Sequence, residues 1–145
     1  MPYIKVYVHF VWSTKNRYPY LNTRALREMV WNHILENGRG KDIFIDFVNG
    51  HADHCHCLVS MSMDQPMQKV MQMIKGESAY WINKNQLTTE KFEWQDEYYA
   101  VSVGISGLNR VREYIKIQEI RHGKKRRKKT LEALLKKFGF SESSS

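Results

Sequence analysis

Apolar and polar positions alternate from the first residues of the chain. Ile4, Val6, Val8, Phe10 and Trp12 share one phase, with Lys5, Tyr7 and His9 in the other. That period of two predicts a strand with one buried face. The polar stretch 13–20 (STKNRYPY) reads as a turn. Over residues 22–37 the spacing changes to three and four, placing Leu26, Met29, Val30, Ile34 and Leu35 on one stripe; this predicts a helix that Asn37-Gly38 ends. Residues 43–48 (IFIDFV) predict a second strand, Asn49-Gly50 a connection, and His54–Met61 (HCHCLVSM) a third strand. A clearer helical stripe follows in Met67, Val70, Met71, Ile74, Ser78, Trp81 and Ile82. Gly76 inside it costs about 1 kcal/mol of helix propensity relative to Ala, which predicts a close packing contact there. Residues 85–97 are loop-like, and Tyr98–Val103 (YYAVSV) predicts a fourth strand. Gly104 to Gly107 form a flexible connection into a helix from about Leu108 to Arg121. Leu131–Phe138 predicts a short terminal helix before a frayed tail.

The predicted order is β-α-β-β-α-β with extra C-terminal helices. This is the order of a ferredoxin-like α+β sandwich, an antiparallel sheet with helices on one face and the other face uncovered. No repeat or second domain is visible. Residues 1–123 are expected to form one domain, and 124–145 a basic run, a short helix and a tail. A chain of 145 residues buries roughly 70% of its unfolded surface, enough for a core without staples. The apolar stretches are too short for a transmembrane helix, so no membrane association is expected. The N-terminus shows no charged leader with a cleavage site, so the expected location is cytoplasmic. Cys55 and Cys57 lie one residue apart, which excludes a disulfide framework and agrees with a reducing compartment.

Charge changes the picture by its placement. The net charge is +8, yet residues 121–129 (RHGKKRRKK) hold seven Lys and Arg and no acid. Without that run, 16 basic residues face 15 acidic ones. The body is nearly neutral and carries one basic patch, which fits nucleic acid but equally a targeting signal or a solvated tail.

The densest polar cluster is His51-Ala-Asp-His-Cys-His-Cys57. On a strand His54 and His56 project to one face, and Cys55 and Cys57 to the other. Two imidazoles at i and i+2 can share one ion, while the thiols pack as small hydrophobes. A structural zinc site would need both faces to converge, and the spacing is not that of a zinc finger. In the last helix Leu108, Val111 and Ile115 form the apolar stripe, and Tyr114 and Gln118 lie four apart beside it. They read either as an exposed tyrosine with a surface glutamine, or as a nucleophile with a neutral metal ligand.

Three motifs in order bring a resemblance. They are His9-Phe-Val-Trp-Ser-Thr-Lys-Asn-Arg17, then Asp53-His-Cys-His-Cys-Leu-Val59, then Tyr98-x-x-x-Ser-Val103 with Val111-x-x-Tyr114-Ile-x-x-Gln118. The chain resembles the single-tyrosine HUH transposases of bacterial insertion sequences over about residues 3–122. It departs at Cys55, where an aliphatic residue is usual, and at Arg121-His122, where two histidines are common. The resemblance implies a DNA transposase, a metal-dependent single-strand endonuclease and strand transferase. It would cleave and rejoin single-stranded DNA at insertion-sequence ends through a covalent 5′-phosphotyrosine on Tyr114. It further implies that His54, His56 and Gln118 bind Mg²⁺ or Mn²⁺, that the enzyme is a homodimer, and that it recognises DNA hairpins at the ends of the element. Lys15 and Arg17, Lys69 and Lys75, and Lys124, Lys125, Arg126, Arg127, Lys128 and Lys129 are the candidate DNA contacts. Gly104 and Gly107 are candidate hinges for the tyrosine helix, or simply a tight turn.

Two rivals remain at this level. An HUH replication initiator would carry Lys three residues after the tyrosine, where this chain has Ile117. A non-catalytic or domesticated module binding single-stranded or hairpin nucleic acid would use exposed sheet aromatics such as Tyr7 and His9.

Overall fold

A computed structural model of the chain describes residues 6–62 and 64–119. The predicted terminal helix, the tail and the basic run from 121 lie outside the described residues. The elements are β1 (Val6–Ser13), α1 (Arg24–Gly40), β2 (Phe44–His51), β3 (His54–Met61), α2 (Met67–Lys84), β4 (Tyr99–Val103) and α3 (Leu108–Lys116). Short 3-10 turns occupy Lys15–Arg17 and Ile105–Gly107. The four strands form an open antiparallel sheet in the order β2-β3-β1-β4. This is the expected α+β architecture.

The alternation in β1 is realised as two differently packed faces. Val8, Phe10 and Trp12 enter the main core with Cys55, Cys57 and Val59 of β3, beneath Val30 and Ile34 of α1 and Val70, Met71, Ile74 and Ile82 of α2. The opposite face, expected to be uncovered, is covered by α3. Leu58 packs there with Leu108 and Ile115, flanked by Tyr7, Phe47, Val103, Val111 and Tyr114. The last helix has the apolar stripe to bury, and the sheet face offers Leu58, Tyr7 and Phe47 to receive it. Polar bonds fix its pose. Arg112 donates to both carboxylate oxygens of Asp46 at 2.7 Å. The Asn49 amide donates to the carbonyls of Ile115 and Lys116 at 3.1 Å, satisfying two groups at the helix C-terminus. Beyond the helix, the nearly buried Arg27 of α1 pairs with Glu119 at 2.6–3.1 Å and also donates to Leu21 O. Removing one member of such a buried pair typically costs about 3–5 kcal/mol.

Several local expectations are corrected. Helix α1 starts at Arg24, two residues inside the predicted span, with the Thr23 hydroxyl accepting from Leu26 N–H. It runs through Asn37-Gly38 to Gly40. Gly38 is there for proximity, since a Cβ would stand 2.7 Å from Ile45 Cδ1. Asn49 and Gly50 belong to β2, and the β2–β3 hairpin turns at Ala52-Asp53 instead. A Cβ on Gly50 would fall 2.2 Å from His54 O, so this glycine serves strand contact rather than a turn. Gly76 has nothing within 4 Å of a Cβ, contrary to the predicted packing contact. Helix α3 ends at Lys116 rather than near Arg121, leaving Gln118 in the turn that follows. The loop 85–98 carries two core residues: Phe92 is clamped by reciprocal amide bonds with Asn83, and the buried Trp94 indole donates to Ser78 Oγ at 2.9 Å. That bond explains a serine within the apolar stripe of α2.

Candidate active site

The site forms where β1 and β3 run side by side beneath α3. Their register pairs Ser13 with His54, Val11 with His56 and His9 with Leu58. Side chains two apart on a strand share a face, so His54, His56 and Leu58 all turn toward α3. Cys55 and Cys57 point the other way and are fully buried in the main core. Burial pushes both thiols well up from their ordinary value, so they stay protonated and take no part in the site. Lying on the opposite face of β3 from His54 and His56, the two thiols do not share an ion with them.

Each histidine is held at Nδ1. His54 Nδ1 lies 2.9 Å from Asp53 Oδ1, and its Nε2 lies 3.2 Å from Gln118 Oε1. The Gln118 amide nitrogen donates to Tyr114 O at 3.0 Å, which turns Oε1 toward His54. With the His54 proton on the Asp53 side, two lone pairs face one another, a contact that a proton or cation relieves. His56 Nδ1 lies 3.0 Å from His9 Nε2, while His56 Nε2 is buried and makes no hydrogen bond of good geometry, with the Gln118 side chain nearby. Burial lowers His9 to about 4. His56 is held well below its ordinary value by burial first, then by His54 and His9, with Gln118 opposing. Both rings are neutral near pH 7, the form in which imidazole ligates metals.

Tyr114 completes the cluster. It is half-buried on α3, with its ring edge-on to His56 at 5.6 Å and to His9 at 6.4 Å between centroids. Gln118 is 2% exposed, which removes the reading of an exposed tyrosine beside a surface glutamine. His54, His56, Tyr114 and Gln118, spread over 64 residues of sequence, therefore meet within one chain.

Among the described residues, no three His, Cys, Asp or Glu side chains group to hold a metal. The donor set on offer is two imidazoles and one amide oxygen. Adjacent ligands of an octahedral ion with bonds of about 2.0–2.1 Å stand about 3 Å apart, close to the 3.2 Å between His54 Nε2 and Gln118 Oε1. Together with the buried His56 Nε2, which makes no hydrogen bond of good geometry, these residues fit a small divalent cation.

The other candidates are dispersed. Lys15 pairs with Glu93 at 3.1 Å. Lys75 donates to the carbonyls of Gln95, Asp96 and Glu97, fastening the loop before β4. Lys69 is exposed. Arg17 stands beside the site, 3.7 Å from Asp53, with Asn16 and Arg17 both in left-handed backbone at φ 57° and 55°. His122 and Lys124 to Lys129 lie outside the described residues. Sequence reasoning gave no role to Asp53, and set His9 among exposed aromatics although it is 1% exposed. The alternation of β1 already placed His9 on the face opposite Phe10; what was missing was the β1–β3 register, which sets His9 opposite Leu58 and diagonal to His56.

An open antiparallel α+β sheet with paired histidines beneath a tyrosine-bearing helix agrees with the resemblance to the single-tyrosine transposases. The sequence profile of the family described as "Transposase IS200 like" matches residues 3–118, and the chain belongs to that family. Among solved structures, the fold is similar to a candidate transposase of Deinococcus radiodurans R1. That match has 16% identity and TM-score 0.63, and covers 81% of this chain and 94% of that one. It is also similar to a REP-associated tyrosine transposase bound to a REP hairpin, with 19% identity and TM-score 0.62, covering 85% and 72% of the two chains. No curated protein matches the sequence.

Proposed function

We propose that this transposase cleaves and rejoins single-stranded DNA with Tyr114 as nucleophile and His54, His56 and Gln118 as ligands of Mg²⁺ or Mn²⁺. The observation that carries the reading is the convergence of these four side chains, with a buried ligand-type nitrogen on His56 that makes no hydrogen bond of good geometry. The Tyr114 oxygen attacks a backbone phosphorus, the bond to the 3′ oxygen breaks, and that oxygen leaves as a 3′-OH. The 5′-phosphate remains on the tyrosine. Attack by another 3′-OH reverses the step and returns the phenol, so strands are rejoined without an external energy source. A bound divalent ion supplies charge neutralisation at the phosphate in a site where the ligating groups are uncharged. Asp53 and Gln118 orient His54, and α3 holds Tyr114 against the histidines.

We assign the tyrosine and histidines of one active site to the same chain, because Arg112–Asp46, Asn49 and Arg27–Glu119 dock α3 on its own sheet. A homodimer, as the resemblance implies, is then not needed to complete the site. Hairpin DNA is the proposed ligand, in line with the hairpin on the REP-associated neighbour. Arg17 beside Asp53 and the basic run 124–129 are the proposed phosphate contacts. The aromatic-platform reading loses support, since α3 covers Tyr7 and His9.

The test is incubation of the full chain with hairpin-bearing single-stranded oligonucleotides from its own element ends. A denaturation-resistant protein–DNA adduct should form with Mn²⁺, vanish with chelator, and be absent in Tyr114→Phe. An adduct of equal yield in Tyr114→Phe would overturn the assignment.

A further inference from the structure

His9 and His56 share one hydrogen bond, and which ring donates decides what His56 offers to the site. Their Nε2 and Nδ1 atoms are 3.0 Å apart, both rings are essentially excluded from solvent, and the rings are tilted at 33°. One of the two nitrogens must carry the proton. If His9 donates, His56 has its own proton on Nε2, a buried N–H whose candidate acceptor, the Gln118 side chain, makes no hydrogen bond of good geometry with it. Orphaned buried N–H groups are rare in folded proteins. If His56 donates, its Nε2 is a bare lone pair on the side of the ring away from His9. A buried lone pair is the form that a cation completes.

We propose that His9 is a positioning residue for His56: its Nε2 accepts the bond from His56 Nδ1–H and so fixes the Nε2 lone pair as the one presented to the ion. His9 never touches the ion or the phosphate. It does for His56 what the Asp53 carboxylate does for His54, 2.9 Å from that ring's Nδ1. Each ligand histidine thus has a separate acceptor behind it, one from the β2–β3 turn and one from β1. Such groups commonly alter metal affinity 10–100-fold. A neutral acceptor behind His56 adds no negative charge in the centre of the sheet, where a carboxylate would have to be desolvated. The inference rests on the metal-ligand reading above and deepens it.

The experiment uses the full metal-free chain with Mn²⁺ as probe. In long-range ¹H–¹⁵N spectra, His56 should show a protonated Nδ1 and an unprotonated Nε2. This wild-type spectrum needs no variant, and a protonated Nε2 would overturn the inference. Isothermal titration should show Mn²⁺ affinity falling about 10–100-fold in His9→Phe, which keeps a ring but removes the acceptor. His9→Gln, whose carbonyl can accept at a similar reach, should recover most of it and keep the His56 tautomer. Unchanged affinity in His9→Phe, with binding abolished in His56→Ala, would sink the role of His9 and leave the ligand reading standing. Unchanged affinity in His56→Ala would overturn both.

Discussion

His54 and His56 are interchangeable on paper, two imidazoles one residue apart, but their surroundings differ. His54 is backed by a carboxylate and faces an amide oxygen, whereas His56 is backed by a second imidazole in a fully buried setting. The buried neutral rings set a pH response. His9 folds with a value of about 4, against about 6.5 in an unfolded chain. Between these values the unfolded chain takes up a proton that the folded one refuses, so stability is full above about 6.5 and declines as pH falls toward 4. His56 shifts in the same direction. Unfolding free energies of the metal-free protein from urea titrations at about pH 7.5 and about pH 4.5 should therefore differ more in the wild type than in His9→Gln. The excess should be about 2–3 kcal/mol. Equal differences in the two proteins would contradict the burial of a neutral His9.

At the scale of elements, glycines separate two causes that a sequence alone merges. Gly76 sits mid-helix with open space around it, so Gly76→Ala should stabilise the protein by about 0.5–1 kcal/mol. Gly50 lies against the His54 carbonyl, so Gly50→Ala should destabilise by about 1–3 kcal/mol and weaken Mn²⁺ binding by displacing His54. Thermal or urea denaturation of the two variants, with a Mn²⁺ titration, checks both signs. The same pair shows what was legible beforehand. Strand β3, the stripe of α2 and the split of His54 and His56 from Cys55 and Cys57 follow from local periodicity, because one buried face imposes them. The roles of Gly38 and Gly50 were not legible, since each depends on an atom brought close only by folding. Nor was the cover of α3 over Tyr7 and His9: alternation shows that a face is apolar enough to bury, not which element buries it. His9 went unrecognised for that reason, while the spacing of Tyr114 and Gln118 left two readings open and the family motifs chose between them.

At the scale of the molecule, docking of α3 determines how many chains make one site. The sheet and helix of a single chain bring Tyr114 beside His56, and neither Gly104 nor Gly107 has the crowding or the left-handed backbone that would demand glycine. Mixing Tyr114→Phe with His56→Ala separates the possibilities. Assembly within one chain predicts no adduct from the mixture, whereas assembly across two chains would restore it to a substantial fraction of wild type. The near-neutral body makes the run 124–129 the main cationic feature. Its proposed role as a DNA tether belongs to binding and its salt dependence rather than to the chemical step.

The central claim is that Tyr114 becomes linked to the 5′ side of a cleaved single strand. Its most direct measurement is proteolysis of the adduct formed with Mn²⁺ on an element-end oligonucleotide, followed by mass spectrometry of the nucleotide-bearing peptide. A phosphodiester on Tyr114 is expected, carrying nucleotides of the 3′ segment of the DNA, with a free 3′-OH on the released segment. Attachment to any other residue, or a linkage to a 3′-phosphate, would contradict it.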